Sequence, residues 1–158
     1  MLPVLKSEDG GDNPITIRSW NPKYLTNCSA SAARTSDHAL VTNMTGTTLV
    51  PYNNNVSIAI ILQMKSGRNF KLTYKICEVV QVKWLTDFMK KYTNLPHTCP
   101  FKPATYNFYN MHLPPKNMPI PIPERDFEVI LQVFVTNSKE MIIDIVTKFG
   151  KVLIKKLT

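Results

Sequence analysis

Carboxylates are in short supply in this 158-residue chain. Eleven Asp and Glu stand against nineteen Lys and Arg, for a net charge of +8. No two carboxylates form a convincing pair: Asp126 and Glu128 flank Phe127 on the outward side of an alternating run, where solvation is the ordinary explanation. Acid–base chemistry by paired carboxylates therefore has no candidates. Histidine is as sparse, with His38, His97 and His112 only. The nearest approach to metal-ligand spacing is His97-Thr98-Cys99, a single pair with no second pair beside it, so no metal site is expected. Cys99 activated by His97 would be a nucleophile, but such dyads are assembled from distant segments. A phosphate-cradling Gly-rich loop and a Ser in a nucleophile-elbow pattern are both missing. No catalytic residue and no cofactor is assigned; the sequence does not read as an enzyme.

Long runs of one character are missing too. No apolar stretch approaches the roughly 18 residues that cross a bilayer; the longest, Ile58 to Leu62, suits a buried strand. Met1 is not followed by a basic stretch and an apolar core, so no signal peptide is expected here. That does not argue for the cytosol, since a mature chain lacks one. The positive excess favours anionic partners such as an acidic membrane surface or glycans. Yet there is no basic run of five, and the densest groups are Lys90-Lys91 and the C-terminal Lys151, Lys155 and Lys156. Nucleic-acid binding asks for basic and aromatic residues interleaved on one surface. Lys71-Leu-Thr-Tyr-Lys75 and Lys83-Trp84 are weak versions, with Tyr74 and Trp84 on apolar stripes. No nucleic-acid partner is expected.

What is present points to the secretory pathway. Asn27-Cys28-Ser29, Asn43-Met44-Thr45 and Asn55-Val56-Ser57 all fit the N-glycosylation acceptor pattern. In that compartment Cys77 and Cys99 could be a disulfide. At this level Cys77, His97 and Cys99 remain open to both readings, a structural staple or a reactive site.

Along the chain, residues 1–13 read as a loose lead-in with Gly10-Gly11 and a small acidic cluster, and 14–158 as one domain. Ile15 to Trp20 alternates as a first strand, and Asn21-Pro22 ends it. Residues 23–37, rich in Ser, Ala, Thr and Asn, carry no clear period beyond an extended Tyr24 and Leu25. Ala39 to Val50 reads as a strand with Gly46 as a bulge or turn. The clearest signal follows: Val56, Ile58, Ile60, Leu62 and Met64 share a face opposite Ser57, Gln63 and Lys65. Ser66 to Asn69 reads as a hairpin loop, and Phe70, Leu72, Tyr74 and Ile76 return on one face. Val82, Leu85, Met89 and Tyr92 then recur at steps of three and four, with Trp84 and Phe88 widening the stripe, as in a helix of about three turns. Asn94-Leu95-Pro96 stops it. Thr105 to Leu113, Asp126 to Thr136 and Met141 to Phe149 read as further strands. Gly150 interrupts before Val152 to Ile154, and a stiff proline-rich link spans 113–123. Seven to nine strands and one helix make a mainly β, sandwich-like chain.

Several of these stretches, in order, resemble a known family. Lys75-Ile-Cys77, the helix, and Tyr92-Thr-Asn-Leu-Pro-His-Thr-Cys99-Pro100 come first. An aromatic run from Tyr106 to Pro114 and then Ile122-Pro-Glu-Arg-Asp-Phe127 follow. The chain resembles the insect secreted proteins that include the CheB chemosensory proteins, themselves similar to the ganglioside activator protein and ML lipid-recognition domains. The resemblance covers about residues 70–136. It departs from the family where relatives carry more cysteines and where Arg125 replaces a common glycine. It implies an immunoglobulin-like, ML-like cup of two splayed sheets with an apolar cavity, secretion, and binding without catalysis. It also implies that Cys77 pairs with Cys99 and straps the helix, with His97 a loop residue beside the cystine. Cys28 is then left free and buried, or links to another chain.

A carrier of this kind needs inward apolar surface beyond what packing consumes. The expected cavity wall is Ile58, Ile60, Leu62, Leu72, Tyr74, Trp84, Phe88, Phe108, Phe127, Val129 and Leu131, with Trp84 and Phe88 on the strapped helix as a lid. The expected function is a secreted carrier or presenter of a lipid or other small hydrophobic ligand, such as a semiochemical. A membrane receptor or an acidic membrane surface would be its further partner. The alternative is a secreted interaction module with a packed interior, acting through receptor contacts or a Cys28-linked dimer.

Overall fold

A computed structural model of the chain describes residues 13–36, 39–115, 118–119 and 126–150. Among them eight strands form two antiparallel sheets, with two short helices beside them. The strands are β1 (Ile15–Trp20), β2 (Leu25–Ser36), β3 (Ala39–Thr48), β4 (Val56–Met64), β5 (Asn69–Lys75), β6 (Thr105–Leu113), β7 (Phe127–Val135) and β8 (Met141–Phe149). One helical turn, α1 (Ile76–Val79), precedes the main helix α2 (Lys83–Tyr92). The larger sheet runs β1-β8-β7-β4-β5 and the smaller β2-β3-β6, so the chain is a mainly β sandwich. The lead-in as far as Asp12, His38, Arg125, most of the proline-rich link and Val152 to Ile154 lie outside the described residues.

Strict alternation builds the larger sheet. Leu72, Ile60, Leu131, Ile145 and Ile17 are successive register partners across all five strands. This row of branched side chains on one face is what a half-buried pleated surface selects. At one end of the sandwich, Leu40, Leu62, Met64, Phe127 and Phe149 form a closed cluster, with the Phe127 and Phe149 rings stacked at 4.7 Å. Gly150 then turns with a φ of +109° in contact with Asp126, where any Cβ would collide. Only glycine adopts that conformation there without strain.

The smaller sheet corrects two expectations. The segment from residue 23 to 36, expected to be extended only at Tyr24 and Leu25, instead has Tyr24 in a turn at 22–24 and β2 running for 12 residues after it. It is held by backbone pairing to β3, with Asn27 at φ +54° in a bulge, a conformation Asn tolerates better than most residues. Gly46 is neither turn nor bulge; it pairs with Tyr106 inside β3, and the β3–β6 irregularity lies at Thr42–Met44. The turn at 22–24 is tied down by Glu140, which accepts from Tyr24 Oη (3.0 Å) and Asn21 Nδ2 (3.0 Å) and pairs with Lys23 Nζ (2.9 Å).

The helical segment is pinned at both ends. Cys77 and Cys99 are disulfide-bonded across 22 positions of chain, and in the chain-entropy view such a closure stabilises by about 3 kcal/mol. The Lys75 N–H donates to Glu78 Oε1 (2.7 Å), opening α1, and the Cys77 N–H donates to Asn54 Oδ1 (3.1 Å). Helix α2 buries Leu85 and Met89 and turns Lys83, Asp87, Lys90 and Lys91 to solvent. Its end falls at Thr93, whose N–H and hydroxyl both donate to the Met89 carbonyl. Asn94 then clamps the chain to β6, donating to the Thr105 carbonyl (3.2 Å) and accepting from the Asn107 N–H (2.7 Å).

Candidate ligand cavity

The inward positions of β3 are Leu40, Thr42, Met44, Gly46 and Thr48. Three of these are too small to reach the sheet opposite. A β-sandwich interior closes only when side chains from both faces interdigitate across about 10 Å. Here the branched rows of β4, β7 and β8 look across at Thr42, Gly46, Thr48 and Cys28. A cavity of about 310 Å³ lies between them, at the low end of the range for small-molecule sites. Helix α2 supplies Trp84, Leu85, Phe88 and Met89 to its wall, and Met111, Leu113, Pro114, Pro115 and Met118 contribute from β6 and the segment after it.

Of the residues expected in the wall, Ile58, Ile60, Trp84, Phe88, Phe108, Val129 and Leu131 line this cavity. The other four sit elsewhere. Leu62 and Phe127 lie in the closed cluster with Leu40, Met64 and Phe149, at a level where both sheets present large side chains. Leu72 and Tyr74 are on the edge strand β5. The larger sheet outreaches the smaller one there, and both pack on the cluster of Ile60, Val79, Leu85 and Met89 instead. The contributions of β1, β3 and β8 went unforeseen. The signal for β3 is the run of small residues at alternate positions, Thr42, Gly46 and Thr48, within an otherwise strand-like segment.

Among the described residues no charged side chain lines the cavity. Three wall hydroxyls are committed to the backbone: Tyr52 Oη donates to the Tyr24 carbonyl (3.1 Å), Tyr106 Oη to the Lys102 carbonyl, and Thr48 Oγ1 accepts from the Ala104 N–H (3.1 Å). Burial pushes the Tyr52 and Tyr106 phenols above their ordinary range, and the free Cys28 thiol likewise. A thiol shifted that way is a poor nucleophile. Cys28 is half-buried against the cluster of Leu25, Tyr52 and Phe101. Thr42 Oγ1 and Trp84 Nε1 differ from the rest: both are buried, both residues line the cavity, and neither atom has a hydrogen-bond partner.

Aromatic contacts tie the helix to β6. Phe88 meets Tyr92 edge-on at 5.0 Å, and Tyr92 meets His112 of β6 at 5.9 Å between ring centres. His97 is an exposed loop residue near the cystine. Asn27, Asn43 and Asn55 are all exposed, although Asn43 Oδ1 accepts from the Asn110 N–H. Among the described residues no group of three or more His, Cys, Asp or Glu is placed to hold a metal, and no helix is long and apolar enough to cross a membrane.

Residues 53–129 match the sequence profile of a family described as "protein of unknown function (DUF1091)". The matched span is just under half of the chain. It runs from the turn before β4 into β7, and so contains the hairpin, both helices, the cystine and β6. No curated protein matches the chain.

Proposed function

We propose that this protein is a secreted, non-enzymatic carrier or presenter of a lipid or other small hydrophobic ligand, akin to the CheB-like chemosensory proteins it resembles. The observation that carries the reading is a cavity of about 310 Å³ beside the disulfide-strapped helix, with no charged side chain in its wall among the described residues. Core packing alone favours filling such a space, because each buried side chain that lacks neighbours forfeits dispersion contacts. An interior left open at that cost is better explained by an occupant than by stability. The alternative, an interaction module with a packed interior, has less support for the same reason.

Secretion is supported by the cystine and the three exposed sequon asparagines. Binding without catalysis is supported by Cys99, the one thiol with a histidine two residues away, being committed to the cystine. The exposed lysines of α2 and β5 (Lys83, Lys90, Lys91, Lys71 and Lys75) would bring the helix side towards an acidic membrane surface or an acidic receptor. Native mass spectrometry of protein from a secretory host tests the reading. The expected result is a stoichiometric small-molecule adduct that is lost on solvent extraction, on a glycosylated chain. A bare chain that rebinds no apolar compound after extraction would sink it.

A further inference from the structure

The outer face of the smaller sheet carries a feature that neither the core nor the cavity uses. Between β3 and β6, Met44 pairs with Phe108 and Thr42 with Met111, so Tyr109 and Asn110 together stand opposite the single residue Asn43. This is a two-against-one bulge, with Asn110 at φ +47° and its N–H donating to Asn43 Oδ1 (2.9 Å). A bulge re-aims the side chains beside it. Tyr109, the aromatic in this one, is 55% exposed. It borders an open groove of about 260 Å³ together with Ser29, Ser31, Asn43, Thr45 and Asn107. Hydroxyls and amides around one bare aromatic ring suit a sugar. A pyranose offers hydroxyls to a polar rim and a flank of C–H groups to the electron-rich face of a ring. The groove also holds its own attachment point. Asn43 opens the acceptor pattern Asn43-Met44-Thr45 and is exposed. Its Oδ1 is taken up by Asn110, and its Nδ2 is uncommitted among the described residues. Neither Asn27 nor Asn55 borders the groove.

Resting on the secretion that belongs to the carrier reading, we infer that Asn43 carries an N-glycan whose first N-acetylglucosamine is seated in this groove against Tyr109. In the attachment, Asn43 Nδ2 bonds to the anomeric carbon of a lipid diphosphate-linked oligosaccharide. The bond from that carbon to the diphosphate oxygen breaks, the lipid diphosphate leaves, and one amide proton is released. Such a glycan turns three separate oddities into one device. The bulge sets Tyr109 beside the acceptor, the Asn110 N–H orients the Asn43 amide, and the sugar covers a ring that the fold leaves in water. It also keeps the outer face of the smaller sheet from packing on a second chain.

The full chain from a secretory host that makes high-mannose glycans tests this, as wild type, Asn43→Gln, Tyr109→Ala, Tyr109→Phe and the Asn43→Gln/Tyr109→Ala double variant. Each is trimmed with endoglycosidase H to a single N-acetylglucosamine at every occupied site. Peptide mapping should find Asn43 modified in the wild type. Its loss in Asn43→Gln should lower the thermal midpoint by about 2 to 4 °C, the shift that one aromatic contact gives in a chain of this size. The same loss in the Tyr109→Ala background should be close to zero. Tyr109→Phe, which keeps the ring face, should keep the wild-type midpoint. An unmodified Asn43 would overturn the inference, and so would an equal loss with and without Tyr109. Either result on a chain that still carries its small-molecule adduct leaves the carrier reading intact. A chain with no sequon modified and no adduct would overturn both. If Tyr109→Ala does not fold, proton NMR of the trimmed wild type decides: sugar protons shifted upfield by an aromatic ring support the contact, and unshifted ones overturn it.

Discussion

The two sheets solve the same problem with different residues. The larger one presents branched side chains at most inward positions of β4, β7 and β8, giving way to Met64, Phe127 and Phe149 at one end. The smaller one presents Thr42, Gly46, Thr48 and Cys28 from β2 and β3 over the same span, beside the larger Met44, Tyr106, Phe108 and Met111, and at one end Leu40 closes against Leu62, Phe127 and Phe149. Packing density is therefore a property of the pair of faces: where large meets large the sandwich closes, and where large meets small it stays open. A strong apolar stripe on one sheet says little about which of these outcomes it meets.

The sharpest way to break this comparison is to truncate on each side of it. Leu62→Ala, in the closed cluster, should cost about 3 to 5 kcal/mol, as a leucine with contacts all round it does. Leu131→Ala, at the open wall, should cost about half as much, because part of its surface already lacks partners. Urea denaturation curves of the two variants give both values, and equal losses would mean that the two regions are packed alike. Next in size is the strap. Replacing both Cys77 and Cys99 by serine should lower stability by about 3 kcal/mol and weaken dye binding in the cavity. Stability loss with unaltered binding would show that the helix does not depend on its cystine to cover the site.

How much of this was legible in the sequence follows the same division. The β4–β5 hairpin, the helix and the β7–β8 pair were readable because their hydrophobic contrast has a definite period. So were seven of the expected wall residues, all on those elements or on β6. Strand β2 was not, since Leu-Thr-Asn-Cys-Ser-Ala-Ser-Ala-Ala-Arg-Thr-Ser has little contrast between faces, and its strand state comes from backbone pairing with β3. Leu62, Leu72, Tyr74 and Phe127 carry the same stripe as the wall residues. What separates them is the partner across the gap, and a strand's own pattern does not contain its partner.

Smaller effects sharpen the picture at β3 and at the turn before β2. Gly46→Ala should stabilise by about 0.5 to 1 kcal/mol, the gain for removing a strand-interior glycine. An added Cβ would meet Leu25 Cδ1 at 3.4 Å and Cys28 Sγ at 3.8 Å, which is ordinary contact. A loss in thermal denaturation would show that the smaller sheet is already full at that point. The smallest effect is electrostatic. The hydrogen bonds of Lys23, Tyr24 and Asn21, with the charge of Lys23 a smaller part, hold the Glu140 carboxylate below its ordinary range. A carboxylate lowered on folding adds stability above its unfolded pKa and loses it as pH falls through the folded one. Wild type should therefore lose slightly more stability than Glu140→Gln between neutral and strongly acidic pH. Parallel pH profiles for the two would remove Glu140 from the account.

The most direct test of the central claim is an electron-density map of the protein purified from a secretory host. The account predicts elongated density between the sheets, bounded by Thr42, Gly46, Ile60, Leu131 and Trp84. Side chains closed over that space at ordinary interior density, with no room for a ligand, would contradict it.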